Sequence, residues 1–204
     1  MFRIFLIIGV IIVALAVISI VYLTGKPNLK AYQYLKEPRI GMMDNEKMIT
    51  IETKGDPNVV GKKAFNQLYG TFHKLKRKVK GLRVPAPRAR WPNPVNTPKN
   101  EWIGIYGLPV PDSVNELPEQ SGKAEFKTTL KVWEYGEIAQ ILHVGPYSDE
   151  PTTIQRLHQF IEENGYEWIV GEHEEEYLKG PGMFFKGHPK NYYTIIRHRI
   201  KKKP

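Results

Sequence analysis

One pattern occurs twice along this chain, and it limits the fold more than any other feature. In each copy a short strand pattern ends at a glycine turn, and a helix pattern with apolar residues three and four positions apart follows it. Gly55 and Gly145 mark the two turns and align after a one-residue gap. The apolar helix positions that superpose are Phe65 with Ile154, Leu68 with Leu157, and Phe72 with Ile161. The chain is therefore expected to fold as two similar halves.

Two strand patterns follow each helix pattern, so each half is predicted to be a βαββ unit. They are "ARW" and "EWIGIYGLPV" in the first half, and "GEHEEEYLK" and "NYYTIIRHRIK" in the second. Each unit has one helix stripe and one sheet face to bury, and two such units can share a sheet. The predicted fold class is α+β, with two βαββ units in one antiparallel sheet, two helices on one face and a concave groove on the other.

An uncharged apolar run extends from Phe5 to Leu23 near the start of the sequence. As a helix this run would be roughly 28 Å long, close to the hydrocarbon thickness of a bilayer, so we expect an uncleaved, single-pass transmembrane helix. A cleaved signal peptide is the competing interpretation, but its apolar core is usually shorter and ends in small residues. A buried core helix is disfavoured because the run is apolar on all sides.

The apolar run divides the chain into three predicted segments. Residues 1–24 form the transmembrane anchor, residues 25–45 a polar, proline-containing juxtamembrane linker, and residues 46–204 the folded domain. Lysine and arginine residues are more numerous just after the run than before it, which favours a cytoplasmic location for the domain. The opposite orientation stays open.

Charge and composition restrict the possible partners. The 204 residues carry a net charge of +9 and include no cysteine, which excludes disulfides, cysteine-based zinc sites and thiol nucleophiles. No acidic residue lies between Asp56 and Glu101, whereas residues 149–178 contain a single basic residue. A basic lobe and an acidic lobe are therefore expected. Beside a membrane span the basic lobe favours an anionic lipid surface, while nucleic acid is disfavoured because no recognition motif accompanies the charge.

The second half of the chain resembles a known family. The segments "LHVGPYSDEPTTIQRLHQFIEENGY" and "EEEYLKGPG", together with the closing strand, resemble the GyrI-like domains, the effector-binding fold of multidrug-sensing regulators, which is related to the haem-binding SOUL proteins. The resemblance covers about residues 46–203. It implies a groove between the two halves that holds hydrophobic, often cationic, small molecules, and some members act as hydrolases of strained small-molecule substrates.

The last strand departs from the family pattern. Many members carry a Thr-Glu-Ile motif whose glutamate reaches the ligand, whereas this chain has Thr194, Ile195 and Ile196. Side chains alternate along a strand, so Ile195 and Arg197 are expected to face the groove. An arginine there would repel a cationic ligand and favour a neutral or anionic one. The predicted ligand-binding residues are Tyr147, Trp168, Glu175, Tyr177, Tyr193, Ile195 and Arg197.

The acidic run and the histidines are the other candidates for chemistry. Strand alternation places either Glu175 with Tyr177, or Glu174 with Glu176, toward the groove. A solvated acidic edge is favoured over a relocated catalytic acid, because charged side chains are seldom buried without a partner. The six histidines have no metal-ligand spacing, so neither a metal nor a cofactor is predicted, although one histidine ligating haem is the alternative that SOUL kinship would allow.

These observations predict a membrane-anchored, non-catalytic module that binds a small hydrophobic or amphipathic molecule. The sequence contains neither a phosphate-binding glycine loop nor a Gly-x-Ser-x-Gly elbow, which removes the commoner enzyme signatures. Two alternatives stay open. One is a membrane-tethered hydrolase of the same fold, which an inward carboxylate beside a tyrosine would favour, and the other is an adaptor that recruits a protein partner and fills the groove with its own side chains.

Overall fold

The computed structural model describes residues 29–94, 96–120, 122, 124–180 and 187–204. Gln33–Pro204 form one compact unit. The transmembrane helix predicted at Phe5 to Leu23 lies outside the described residues. Within those residues, no helix is both long enough and apolar enough to cross a bilayer.

Two α-helices and eight strands make up the described part of the domain. In chain order the elements are β1 Arg39–Met43, β2 Glu46–Lys54, α1 Pro57–Lys78, β3 Arg88–Trp91, β4 Ile103–Pro109, β5 Thr128–Trp133, β6 Gly136–Val144, α2 Glu150–Glu163, β7 Tyr166–Lys179 and β8 Tyr193–Lys202. Short 3₁₀ helices occupy Leu29–Lys36, Lys99–Glu101, Tyr147–Asp149 and Pro189–Asn191.

All eight strands belong to one antiparallel sheet, in the order β1-β6-β8-β7-β3-β4-β2-β5. The first, third and second strands of each βαββ unit are neighbours in that order, as β6-β8-β7 and as β2-β4-β3. The two units meet where β7 pairs with β3. The predicted α+β class and the shared antiparallel sheet are confirmed, and the strand order has the symmetry expected of a repeat.

The two glycine turns are equivalent in structure as well as in sequence. Gly55 and Gly145 have φ angles of +137° and +149°, a region that residues with a side chain rarely adopt. The amide of Gly55 donates to the carbonyl of Trp102 at 2.8 Å, and the amide of Gly145 donates to the carbonyl of Tyr192 at 3.1 Å. Each acceptor directly precedes the last strand of its own unit. The same bond therefore ties the turn to that strand in both halves.

Each helix buries the stripe that its sequence period predicts. In the first half α1 packs through Leu68 and Phe72, both fully buried, against β2, β3 and β4. In the second half α2 packs through Leu157 and Ile161 against β6 and β8, where it covers residues such as Ile196. The strand residues beneath the two helices lie on the same side of the sheet, because cross-strand partners share a face. Both helices are therefore on one face, as predicted.

Part of the segment predicted as a linker belongs to the sheet. Part of the expected linker, residues 25–45, forms β1, which pairs with β6 along its whole length. Ile40 packs against the α2 cluster, and Leu35 in the preceding 3₁₀ helix is only 1% exposed. The pattern of β1, "RIGMM", has no clear alternation of polar and apolar residues, so its strand character comes from backbone pairing with β6.

Candidate functional site

Strand alternation along β7 sorts the acidic run onto two faces. Glu175 and Tyr177 face the helices, where their cross-strand partners are Ile196 and Thr194. Glu174 and Glu176 face the opposite side. Neither side is a solvated acidic edge, because Glu174 and Glu176 are 2% and 9% exposed and the side chain of Glu175 is 12% exposed. That expectation was wrong, and the reason is the set of partners that the other strands supply.

The face away from the helices is closed by a buried ion-pair network. Arg197 donates to Glu174 at 2.5 Å and to Glu176 at 3.1 Å, and it also contacts the side chain of Gln140. Arg88 donates to the hydroxyl of Tyr135 at 2.8 Å. The network consists of Glu46, Arg88, Arg90, Tyr135, Gln140, Glu172, Glu174, Glu176, Arg197 and Arg199. Buried ion pairs thus occupy the face on which the sequence predicted a concave groove.

This closed face changes the interpretation of three predicted ligand residues. Tyr193, Ile195 and Arg197 lie on the side away from the helices, as alternation predicts. Ile195 and Arg197 are, however, only 2% and 4% exposed. The charge of Arg197 is matched by two carboxylates, so it gives no reason to exclude a cationic ligand. The inference against cations fails because the sequence could not show these partners.

Trp168 also lies apart from the other predicted residues. Its indole stacks on the ring of His158, with the centroids 4.0 Å apart and the planes 5° from parallel. It belongs to the cluster packed under α2. Tyr147, Glu175 and Tyr177 are therefore the predicted ligand residues that the structure brings together.

A continuous chain of aromatic rings on the helix face includes Tyr147 and Tyr177 and passes beside Glu175. Phe65 of α1 contacts Tyr177 edge-on, with centroids 5.8 Å apart, and Tyr177 contacts Tyr147 at the same distance. Tyr147 is 38% exposed, so this end of the chain is open to solvent. In order the rings are Trp91, Tyr106, Phe65, Tyr177, Tyr147 and Tyr192. We call these six rings, with Glu150 and Glu175, the aromatic site.

The Gly-Pro-Tyr turn places Tyr147 in this site. His143 holds the turn, because one ring nitrogen lies 2.8 Å from the Thr153 hydroxyl and the other 3.1 Å from the carbonyl of Pro146. Gly180 at the end of β7 leaves room for the phenol, since a Cβ atom there would lie 2.6 Å from the Tyr147 hydroxyl oxygen. The turn thus has a structural role, which is to position the ring of Tyr147.

Glu175 is the anion of the aromatic site. The Tyr177 hydroxyl donates to its Oε2 at 2.6 Å, and Nε2 of His173 lies 3.0 Å from its Oε1. Burial opposes ionisation of this carboxyl, but the bonds from His173 and Tyr177 outweigh burial and lower its pKa. The Trp91 indole N–H also favours the anion, although it makes no hydrogen bond of good geometry.

Glu150 is a second carboxyl with the opposite tendency. It is the first residue of α2, is 6% exposed, and its Oε1 has no hydrogen-bond partner among the described residues. Burial, together with the negative charge of Glu175, raises the pKa of Glu150 to about 9, against a weaker opposite effect of Thr194. At neutral pH the aromatic site therefore holds one neutral and one ionised carboxyl, which is the arrangement that acid–base chemistry uses.

Sequence reasoning missed several residues of the site. Phe65 and Tyr106 look like ordinary core residues, because each sits on a regular apolar stripe. Glu150 carries a weak signal, since it directly follows the turn that positions Tyr147. Across the described ranges, no group of three or more histidine or acidic residues could hold a metal ion. A depression of about 140 Å³ beside Leu75 and Leu117 lies at the far end of α1, away from both carboxyls.

Comparisons with known proteins agree with this architecture. A family model described as a GyrI-like small molecule binding domain matches residues 36–201. A conserved protein of Listeria innocua has a TM-score of 0.69 and 25% identity, with 85% of this chain and 97% of that chain covered. A hydrolase from Listeria innocua has a TM-score of 0.66 and 23% identity, with 84% of this chain and 95% of that chain covered. The C-terminal domain of EcmrR has a TM-score of 0.56 and 15% identity, with 82% of this chain and 98% of that chain covered. Among curated proteins no match is found.

Proposed function

The chain belongs to the GyrI-like small-molecule-binding family, and we propose that its aromatic site binds an amphipathic molecule with a positively charged group. The observation that carries the proposal is the carboxylate of Glu175, which accepts from the Tyr177 hydroxyl at 2.6 Å, beside the contacting rings of Tyr177 and Tyr147. Aromatic faces attract cations and offer apolar area, while a buried carboxylate supplies the counter-charge. A molecule with an aromatic body and a cationic centre satisfies both requirements.

Glu150 makes the proposed binding depend on pH. A cation entering the aromatic site favours ionisation of this carboxyl, whose pKa of about 9 keeps it protonated in the empty site. Binding should therefore release up to one proton near neutral pH. Affinity for a cation should rise between pH 7 and pH 9, because the proton no longer has to be removed during binding.

Two ions of matched size and opposite charge test whether the aromatic site prefers a cation to an anion. We expect tetraphenylphosphonium to bind residues 33–204 in calorimetry and tetraphenylborate to bind at least tenfold more weakly. Glu175→Gln should weaken binding of the cation at least tenfold, because the counter-charge is lost. Glu167→Gln is the control, since it removes the same charge from the exposed part of β7. Stronger binding of the borate, or equal effects of the two substitutions, would contradict the proposal.

A hydrolase is the second candidate, and the two carboxyls favour it. Glu150 retains a proton to donate and Glu175 is ionised, with the Tyr177 hydroxyl 2.6 Å away. A pair whose pKa values are separated in this way could protonate a leaving group and activate a water. The similar Listeria innocua protein described as a hydrolase is consistent with this chemistry. Turnover of a strained small substrate that is lost in both Glu150→Gln and Glu175→Gln would support it, and binding without turnover would exclude it for that substrate.

We also propose that the domain works at the cytoplasmic surface of a membrane, held there by the apolar run Phe5 to Leu23. The length of that run supports the anchor. Exposed lysines and arginines on α1, such as Lys62, Lys76 and Arg77, supply a surface that would favour anionic lipid. Sedimentation of residues 33–204 with vesicles should require anionic lipid and weaken with salt, and indifference to lipid charge would contradict surface docking.

A further inference from the structure

Three histidines form a connected path away from Glu175. His173 and His198 are cross-strand partners on β7 and β8, and their Nδ1 and Nε2 atoms lie 3.1 Å apart. Nε2 of His198 also lies 3.2 Å from Nε2 of His158 on α2. His158 is half-buried and stacks on Trp168, whereas His198 is 5% exposed. The path begins at the buried carboxylate and ends at a partly solvated ring.

Nε2 of His198 takes part in two contacts with a single hydrogen-bonding position. An imidazole nitrogen either carries one proton or presents one lone pair, so it makes one good hydrogen bond at a time. His198 therefore has two competing partners, His158 and His173. Its other ring nitrogen has no partner among the described residues and does not relieve the competition. Changing partners through one nitrogen is the geometry of a proton shuttle.

The surroundings keep the middle of the path neutral at rest. Burial, followed by the nearby charges of His173 and His158, lowers the pKa of His198 well below its ordinary value. Burial and His173 also lower the pKa of His158, while Glu162 on the outer face of α2 acts against them. Among the residues that the structure describes, Glu175 is the carboxylate in contact with the path, where it accepts from His173. A proton on His198 would thus be transient, as transfer requires.

We propose that His158, His198 and His173 form a proton-transfer chain that connects Glu175 with solvent on the α2 side of the sheet. The proposal rests on the proposed role of the aromatic site, because it supplies the buried carboxyls of that site with a proton route to solvent. The chain makes these histidines positioning and transfer residues of the site, and sequence spacing gave no sign of it.

The inward transfer balances as follows. Solvent protonates Nδ1 of His158, and the proton on its Nε2 passes to Nε2 of His198. The same proton passes to Nδ1 of His173, and the proton on Nε2 of His173 moves to Oε1 of Glu175. One proton enters and one arrives, and the rings of His158 and His173 end in their other tautomers. Outward transfer is the reverse.

Carbon NMR of ligand-free residues 33–204 labelled at the glutamate Cδ tests the chain. Glu150 and Glu175 influence each other's ionisation, so both signals report the proton that leaves between pH 7 and pH 10. We expect fast exchange, with each signal moving continuously, in the wild-type domain. His198→Gln and His158→Gln should lower the exchange rate at least tenfold and split or broaden the signals. Free imidazole should restore fast exchange, because a mobile base replaces the missing shuttle.

His73→Gln is the matched control, because this histidine is exposed on α1 and should leave the exchange rate unchanged. Amide spectra establish that each variant is folded. If His198→Gln does not fold, His158→Gln tests the chain alone, because its position is only half-buried. Slow exchange in the wild-type domain, unchanged exchange in the variants, or no rescue by imidazole would overturn the chain. The measurement uses no ligand, so it can support the proton-transfer chain even if tetraphenylphosphonium does not bind. Failure of the chain and failure of the proposed cation binding can therefore be told apart.

Discussion

At the scale of residues, one strand carries carboxylates with three different environments. Glu174 is neutralised by arginines on the closed face, Glu175 is held as an anion by a tyrosine and a histidine, and Glu172 lies nearer the solvent. Alternation along β7 predicted which of them share a face. It could not predict the arginine partners of Glu172 and Glu174, because these come from β3 and β8. The burial of Glu174 follows from those partners.

Glu150 gives a direct test of this view. Its pKa is raised from 4.5 when unfolded to about 9 when folded, so the unfolded chain loses its proton first as the pH rises. The stability that depends on the proton is complete below pH 4.5 and is lost progressively toward pH 9, by up to about 1.4 kcal/mol per pH unit. Glu150→Gln should remove this dependence and make the domain more stable than wild type at pH 8.

Urea unfolding at pH 6, 7.5 and 9 measures the effect. Glu163→Gln, an exposed position at the other end of α2, is the control and should follow the wild-type curve. Parallel pH profiles for Glu150→Gln and wild type would show that the carboxyl is not protonated in the folded domain.

At the scale of elements, local patterns predicted most of the structure. The helix stripes and the glycine turns appear where periodicity placed them, and the four strands predicted after the helices are all present. One of them, β7, begins at Tyr166 rather than at Gly171. What the patterns could not give was long-range pairing. The contact between His173 and His198 depends on strand register across an irregularity between Trp168 and His173, and β1 depends on β6, which is distant in sequence.

The role of β1 can be measured with two substitutions in the same strand. Ile40 is half-buried against the α2 cluster, whereas Met42 is 76% exposed. Ile40→Ala should lower the free energy of unfolding by about 1–3 kcal/mol, because it removes buried apolar area. Met42→Ala should change it by less than about 0.5 kcal/mol. Equal effects in urea unfolding would mean that β1 is not part of the folded core.

At the scale of the whole molecule, the two halves share one architecture, and the two faces of their common sheet carry different groups. The face away from the helices is filled by ion pairs, and the aromatic site lies on the helix face with residues from both halves. The sequence predicted two lobes of opposite charge, but much of the acidic charge is turned inward, as for Glu174 and Glu176. The family resemblance predicted a site between the halves, and reasoning from the last strand placed it on the face away from the helices, where the structure has buried ion pairs.

A crystal structure of residues 33–204 with tetraphenylphosphonium tests the location of the site most directly. The account predicts electron density for the cation against Tyr147 and Tyr177, with the phosphonium centre near Glu175. Density over Ile195 and Arg197 with the ion pairs of Glu174 broken, or a cation bound away from both carboxyls of the aromatic site, would contradict it.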